Sequence, residues 1–120
     1  MQSLKTTKQF SYTYKKGMRT QGAFFAIYSL PLEGLPPFFG RPQTSLLGLS
    51  VSKKVGKAVQ RNLLKRRVRS IFTNARLEKK QVVVFVAKTG IASLSYLELK
   101  QQILACLKRK SPSKPALRRA

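Results

Sequence analysis

Apolar residues recur at helical spacing in three parts of the chain and at strand spacing between them. A first short helix is expected within residues 4–17. Thr7 can cap its start, and Gly17 is a suitable residue to end it. Phe10 and Tyr14 lie four positions apart, so they share one face of this helix.

Three further segments have the pattern of β-strands. Residues 23–30 alternate aromatic and apolar side chains on both faces, and residues 45–52 alternate leucine or valine with glycine or serine. The segment from Val82 to Ala87 is continuously apolar, which is typical of a strand that is buried on both faces. This last strand is therefore predicted to lie at the centre of a sheet.

Two longer helices complete the pattern. One is predicted over residues 57–75, after a turn at Gly56. The other begins at a capping box formed by Ser95 and Glu98 and runs to about residue 110. Its predicted buried face consists of Tyr96, Leu99, Ile103 and Leu107. Residues 31–44 hold four prolines and two glycines and are predicted to form a loop.

The charge of the chain indicates its class of partner. The 120 residues include 25 Lys and Arg against 3 acidic residues, which gives a formal net charge of +22. A small foldable domain with this charge repels itself until a polyanion neutralises it, so nucleic acid is favoured over an anionic membrane surface. The sequence has no membrane-spanning apolar run and no apolar leader with a small-residue cleavage site, so a cytoplasmic protein is expected.

The side chains that enzymes use most are scarce. The chain has no histidine, no aspartate and one cysteine, Cys106, which is predicted to be a small buried hydrophobe. The carboxylates Glu33, Glu78 and Glu98 are too scattered to predict an acid–base pair. We therefore expect no catalytic residue and no metal site in this chain.

The predicted helix over residues 57–75 has a core face and a cationic face. At 100° per residue, five basic or amide side chains fall within an arc of about 140°. They are Arg61, Asn62, Lys65, Arg66 and Arg69. The adjoining arc is apolar and consists of Leu64, Val68, Ile71, Phe72 and Ala75. Because same-sign charges on one face repel each other, this face is more than a solvated surface and predicts a partner rich in phosphate.

Residues 48–69, GLSVSKKVGKAVQRNLLKRRVR, resemble the signature of the bacterial ribonuclease P protein subunit. The resemblance extends over most of the chain and leaves out the loop 31–44 and the C-terminal residues. Leu63 departs from it, since many members have arginine at this position, and contacts made by that arginine are not assumed here.

The resemblance implies a fold that the residue pattern only partly predicts. It implies an α/β fold, an α+β two-layer sandwich with a mixed sheet and the order helix, three strands, helix, strand, helix, similar to domain 2 of ribosomal protein S5. The third early strand rests on the resemblance alone. General physics favours a right-handed crossover through residues 53–81, but the family has a left-handed one, which we expect here. A single RNA-binding domain is expected over residues 1–110, with a flexible basic tail over residues 111–120.

The resemblance also implies the partners. The protein would bind the ribonuclease P catalytic RNA, one protein per RNA subunit, and precursor tRNA, whose 5′ leader the complex removes. It would have no membrane partner and no small-molecule substrate. Magnesium would be bound mainly by the RNA. The residues that correspond to the RNA-subunit interface are Lys53, Lys54, Arg61, Asn62, Lys65, Arg66 and Arg69.

A second implied site is a cleft for the single-stranded leader of precursor tRNA. The residues that correspond to it are Phe10, Tyr14, Lys15 and Tyr28. Lys16 and Arg19 could add phosphate contacts, whereas Tyr12 receives no role. From spacing alone, Phe10 and Tyr14 are more typical of core contacts than of a binding site.

Three other functions share some of these features. A structural ribosomal protein would have the same size, charge and RNA-facing helix but no leader cleft. A DNA-compacting protein would prefer duplex DNA, and its binding would depend steeply on salt without selecting RNA shape. A membrane-active basic peptide is disfavoured because the predicted sheet can bury the apolar faces.

Overall fold

The computed structural model describes residues 2–75 and 80–109 and shows three α-helices and a five-stranded sheet. In chain order the elements are β1 (Gln2–Ser3), α1 (Thr7–Lys16), β2 (Met18–Gln21), β3 (Phe25–Pro31), β4 (Leu46–Ser50), α2 (Ala58–Asn74), β5 (Gln81–Ala87) and α3 (Tyr96–Arg109). Short 3-10 turns occupy Pro37–Phe39, Lys53–Val55 and Ile91–Ser93. The predicted order of elements is confirmed, with the two-residue strand β1 added in front. The expected tail, residues 111–120, lies outside the described residues.

The sheet is mixed and has the strand order β1-β4-β5-β3-β2. Strand β5 pairs in parallel with β4, where Leu47 lies opposite Val83, and antiparallel with β3, where Ile27 lies opposite Phe85. The side chains from Val82 to Phe85 are fully buried. The prediction of a central strand that is buried on both faces is therefore confirmed. The handedness of the β4–α2–β5 connection stays a prediction.

The two faces of the sheet are covered by different elements. On one face, α2 and α3 pack on Phe25, Ile27 and Phe85 and form the second layer of the sandwich. On the other face, α1 and the loop that contains Phe39 pack on Val82, Val84 and neighbouring residues. Tyr28, Ser50 and Val86 lie on this second face and remain half-buried. The cover provided by α1 and the loop is therefore incomplete.

Helix α1 begins one residue earlier than its predicted cap implies. Thr6, and not Thr7, is the N-cap: its Oγ1 accepts a hydrogen bond from the Gln9 N–H at 3.2 Å. The Gln9 side chain returns a bond by accepting from the Thr6 N–H, which completes a capping box. The predicted cap at Thr7 was wrong. A capping box needs a glutamine or glutamate three positions after the N-cap, and Gln9 stands three positions after Thr6.

Helix α3 confirms its predicted capping box and most of its predicted face. The Ser95 N–H donates to Glu98 Oε1 at 2.9 Å, and the Glu98 N–H donates to Ser95 Oγ at 3.1 Å. Leu99, Ile103 and Cys106 are buried, as expected of the core face. Tyr96, the first residue of the helix, was expected on that face but is 38% exposed.

Gly17 permits the end of α1 to lie directly against β3. A Cβ at this position would lie 2.6 Å from the carbonyl oxygen of Thr13 and 3.1 Å from that of Ser29. Both atoms belong to the backbone, so neither can turn aside. The backbone of Gly17 has φ −78°, which any residue can adopt, and the requirement is therefore for space.

We expect Gly17→Ala to lower the free energy of unfolding by roughly 1–3 kcal/mol, since overpacking of this kind forces the backbone to shift. Urea unfolding followed by circular dichroism measures the change. Ser11→Ala, at an exposed position of the same helix, is the matched control and should change stability little. An unfolding midpoint for Gly17→Ala equal to that of the unsubstituted protein would contradict the close approach.

Candidate nucleic-acid interface

Three aromatic side chains meet on the incompletely covered face of the sheet. We call Phe10, Tyr14 and Tyr28 the aromatic cleft. The ring centroids of Tyr14 and Tyr28 are 5.0 Å apart with an edge-on geometry, and those of Phe10 and Tyr14 are 6.4 Å apart. Helix α1 supplies two of the rings and strand β3 supplies the third. The three aromatic residues predicted for one site therefore lie together.

Phe10 and Tyr14 differ in how deeply they are buried. Phe10 packs over Gly48 of β4, where a Cβ would lie 2.7 Å from its Cε1 atom. It belongs to the apolar cluster on that face, so the interpretation as a core contact fits this residue in part. Tyr14 is 39% exposed and does not fit that interpretation. Phe10 thus packs between Tyr14 and the sheet at the base of the cleft, whereas the ring of Tyr14 is exposed to solvent.

Positive charge borders the aromatic cleft. Lys15 follows Tyr14 in α1 and is exposed. Arg19 lies opposite Tyr28 in the β2–β3 pair, with its guanidinium carbon 5.9 Å from the centroid of the Tyr28 ring. Lys16 is exposed at the end of α1. Flat rings bordered by cations form a surface that suits unpaired nucleotides, because the bases can stack and the phosphates find counter-charges.

The second predicted set lies on the 3-10 turn Lys53–Val55 and on α2, and we call it the cationic surface. Its members are Lys53, Lys54, Arg61, Asn62, Lys65, Arg66 and Arg69. The two lysines lie exposed in the 3-10 turn before α2, and the other five side chains follow along α2. Asn62, Arg66 and Arg69 are exposed, whereas Arg61 and Lys65 are half-buried.

The remaining side of α2 confirms its predicted core face. Leu64, Val68, Ile71 and Phe72 are all buried against the sheet and α3. Ala75, the fifth predicted member, lies just after the end of the helix and is half-buried. Residues 53–69 include no acidic residue, so no ion pair within this stretch neutralises the cationic surface. Leu63, the position that departs from the family signature, is 37% exposed beside Asn62.

Arg61 has a structural contact as well as a predicted RNA contact. Its Nε donates a hydrogen bond to the carbonyl oxygen of Gly56 at 3.2 Å, across the turn that precedes the helix. The two terminal nitrogens of the guanidinium retain their donor capacity for a phosphate. Arg61 therefore also positions the turn that carries Lys53 and Lys54.

The aromatic cleft and the cationic surface arise from opposite faces of the sheet. Helix α1 packs on one face and α2 on the other. Strand β4 connects them, because Gly48 lies under the aromatic cleft and the chain continues through Ser50 to Lys53. A single stretch of sequence, residues 48–69, therefore contributes to both surfaces.

A further aromatic group was missed by the sequence analysis. Tyr12, Phe38 and Phe39 contact one another with ring centroids 5.2 to 5.9 Å apart. The only signal was the pair of adjacent phenylalanines in a proline-rich loop, since a loop has no periodicity from which a partner could be predicted.

The described residues offer little for metal binding. Within residues 2–75 and 80–109, no three side chains of His, Cys, Asp or Glu lie close enough together to hold a metal ion. Glu33 and Glu98 are the carboxylate side chains in those ranges. In the same part of the chain, no helix combines the length and apolar character needed to cross a bilayer.

A family model and the sequences of known proteins identify the same family of relatives. A family model described as Ribonuclease P matches residues 1–111. The ribonuclease P protein component of Helicobacter acinonychis is 38% identical over 115 residues, which cover 88% of this chain and 75% of that protein. The component from Geobacillus thermodenitrificans is 35% identical over 112 residues, covering 88% of this chain and 84% of the relative.

Solved structures agree with the sequence comparisons. The ribonuclease P protein of Staphylococcus aureus superposes with a TM-score of 0.78 at 25% identity, covering 92% of this chain and 96% of that one. The ribonuclease P protein of Thermotoga maritima superposes with a TM-score of 0.74 at 26% identity, covering 91% and 97% of the two chains.

Proposed function

The chain belongs to the ribonuclease P protein family, and from that membership we propose how its two surfaces divide the work of tRNA processing. The cationic surface binds the catalytic RNA subunit. The aromatic cleft binds the single-stranded 5′ leader of precursor tRNA. The complex then removes the leader by endonucleolytic cleavage, which gives the mature 5′ end.

The observation that carries this proposal is the position of Tyr14 and Tyr28. Two tyrosines in edge-on contact, one of them 39% exposed, lie on a protein with a net charge of +22. Exposed rings of this kind suit unpaired bases, each stack contributing roughly 1–3 kcal/mol. A leader is single-stranded and mature tRNA lacks it, so this cleft supports selection of the precursor.

The cationic surface supports binding of a large folded RNA. Arginine offers a planar fork for phosphate oxygens, lysine a mobile charge, and Asn62 a donor and an acceptor for a sugar hydroxyl or a base edge. With the aromatic cleft on the opposite face of the sheet, the protein can hold both RNAs at once. We propose that one protein binds each RNA subunit.

The chemistry of cleavage is assigned to the RNA partner. Glu33 and Glu98 are the described carboxylates, and among the described residues no group of three or more His, Cys, Asp or Glu side chains could hold a metal ion. Bound to the RNA subunit, magnesium would supply the nucleophile and stabilise the leaving oxygen. The protein residues contribute binding, orientation of the leader and neutralisation of phosphate charge.

The proposal is tested by cleavage of 5′-labelled precursor tRNA at low magnesium, with a bacterial ribonuclease P RNA alone and with this protein added. We expect the protein to stimulate cleavage strongly at the mature 5′ end, because its cations replace part of the charge neutralisation that the magnesium otherwise provides. Tight RNA binding without stimulation would contradict the proposal and favour a structural ribosomal protein. Equal competition by duplex DNA at fixed salt would favour a DNA-compacting protein.

A further inference from the structure

A second aromatic group lies on the other flank of α1 from the aromatic cleft. We call Tyr12, Phe38 and Phe39 the outer aromatic group. Tyr12 is two residues from both Phe10 and Tyr14, which corresponds to 200° around an α-helix and directs it away from the cleft. The rings of Phe38 and Phe39 stack at 5.2 Å, and the Tyr12 ring meets both edge-on.

The members of this group are buried to different extents. Phe39 is 6% exposed and belongs to the apolar cluster beneath α1. Phe38, stacked above it, is 39% exposed, as much as Tyr14 in the aromatic cleft. Phe39 therefore serves the core, whereas Phe38 presents its ring at the surface.

The loop that carries Phe38 is held firmly on the helix. The buried side chain of Gln9 donates from Nε2 to the carbonyl oxygen of Phe38 at 3.0 Å, while its Oε1 accepts from the N–H groups of Lys5 and Thr6. An exposed ring on a fixed backbone loses little conformational entropy when a ligand stacks on it.

Lysine side chains lie beside the outer aromatic group, as they do beside the aromatic cleft. The Lys8 Nζ lies 5.6 Å from the centroid of the Phe38 ring. Lys8 and Lys15 are exposed on the arc of α1 between the two aromatic groups, and Lys5 is exposed just before the helix begins. The helix thus presents a ridge of cations that suits a chain of phosphates running from one group to the other.

We infer that the outer aromatic group is a second stacking site, which binds unpaired nucleotides of the 5′ leader upstream of those held in the aromatic cleft. A base takes the face of Phe38 that Lys8 now covers, and the flexible Lys8 side chain moves to the adjoining phosphate. This inference rests on the proposed function.

The leader is the occupant that the geometry favours. An α-helix with its side chains is about 10–12 Å wide, so a strand leaving the aromatic cleft needs only to cross α1 to reach Phe38. The RNA subunit is assigned to the cationic surface of α2, on the opposite face of the sheet. The leader is therefore the single-stranded RNA that lies nearest.

The test uses the reconstituted holoenzyme and precursor tRNAs whose leaders are lengthened one nucleotide at a time. For the unsubstituted protein, affinity should rise in two steps as the leader first fills the cleft and then reaches Phe38. Phe38→Leu keeps apolar contact with Phe39 but removes the flat ring. We expect it to abolish the second step, weakening long-leader binding about fivefold or more, and to leave the first step intact.

Matched variants separate stacking from folding. Phe38→Tyr keeps the ring and should retain both steps. Leu97→Ala removes another exposed apolar side chain, on α3 and the opposite face of the sheet, and should also retain both. If Phe38→Leu unfolds at a lower temperature, Lys8→Gln provides an independent measurement, because it should lower the salt slope of long-leader binding by about 0.7.

Two outcomes would overturn the inference. One is an unchanged second step in both Phe38→Leu and Lys8→Gln. The other is an equal loss for long-leader, short-leader and mature tRNA, which would place the outer aromatic group against the RNA subunit. Failure of the proposed function is recognised separately, since Tyr28→Ala would then leave the first step unchanged.

Discussion

Replacing Arg66 and Arg69 together with alanine is expected to weaken binding of the catalytic RNA about a hundredfold or more. Both side chains are exposed on the same face of α2, and neither is needed to fill the core. Hydrogen bonds to charged groups contribute roughly 1.5–3 kcal/mol each, so two phosphate contacts account for a loss of this size. The slope of log affinity against log salt should also fall by about 1.4 to 1.8.

Filter binding or fluorescence titration over a range of salt concentrations measures both quantities. The matched control is Lys100→Ala with Lys108→Ala, which removes the same charge from exposed positions of α3. If the control weakens binding as much as the arginine variant does, the effect comes from total charge and the cationic surface is not a specific interface. Arg61 is left unchanged because its Nε also bonds the Gly56 carbonyl oxygen.

Replacing Tyr28 with alanine is expected to weaken binding of precursor tRNA by the holoenzyme about 5- to 150-fold, while leaving mature tRNA nearly unaffected. The ring is half-buried between Tyr14 and Arg19, so its removal opens the centre of the aromatic cleft. The expected range corresponds to one lost stack of roughly 1–3 kcal/mol. Equilibrium binding of the two tRNAs to the same holoenzyme preparation measures the difference.

Two variants control for the loss of an aromatic side chain. Tyr28→Phe keeps the ring and should retain most of the affinity for the precursor. Tyr96→Ala removes an exposed tyrosine of α3, which packs on the opposite face of the sheet, and should have no effect on either tRNA. Equal losses for precursor and mature tRNA in Tyr28→Ala would exclude a leader site at this position.

The elements predicted from residues alone are those with strong burial patterns. Helix α2 and strand β5 bury continuous or periodic apolar sets, so their hydrophobic pattern is clear. Strand β2 lies at the edge of the sheet and is mostly exposed, so its sequence, Met-Arg-Thr-Gln, carries no such pattern. Only the family resemblance predicted a third early strand, and β1 is too short to predict.

The two candidate sites also differ in how far sequence spacing alone predicts their members. The cationic surface follows mainly from helical periodicity within one segment, so sequence spacing was enough to group its helical members. The aromatic cleft joins Phe10 and Tyr14 of α1 to Tyr28 of β3, and their meeting depends on how the helix packs on the sheet. Spacing cannot predict such a non-local contact, and there the resemblance supplied the grouping.

The side-chain amide of Gln9 couples the start of α1 to the loop that contains Phe38. One side chain bonds the backbone at Lys5 and Thr6, where α1 begins, and the backbone of Phe38 in the loop. Loss of any one of these bonds leaves a buried polar group without that partner, so we expect the first turn of α1 and the turn Pro37–Phe39 to form and open as one cooperative unit. We therefore expect an insertion or deletion in this loop to leave the start of the helix intact only if it lies outside this anchor.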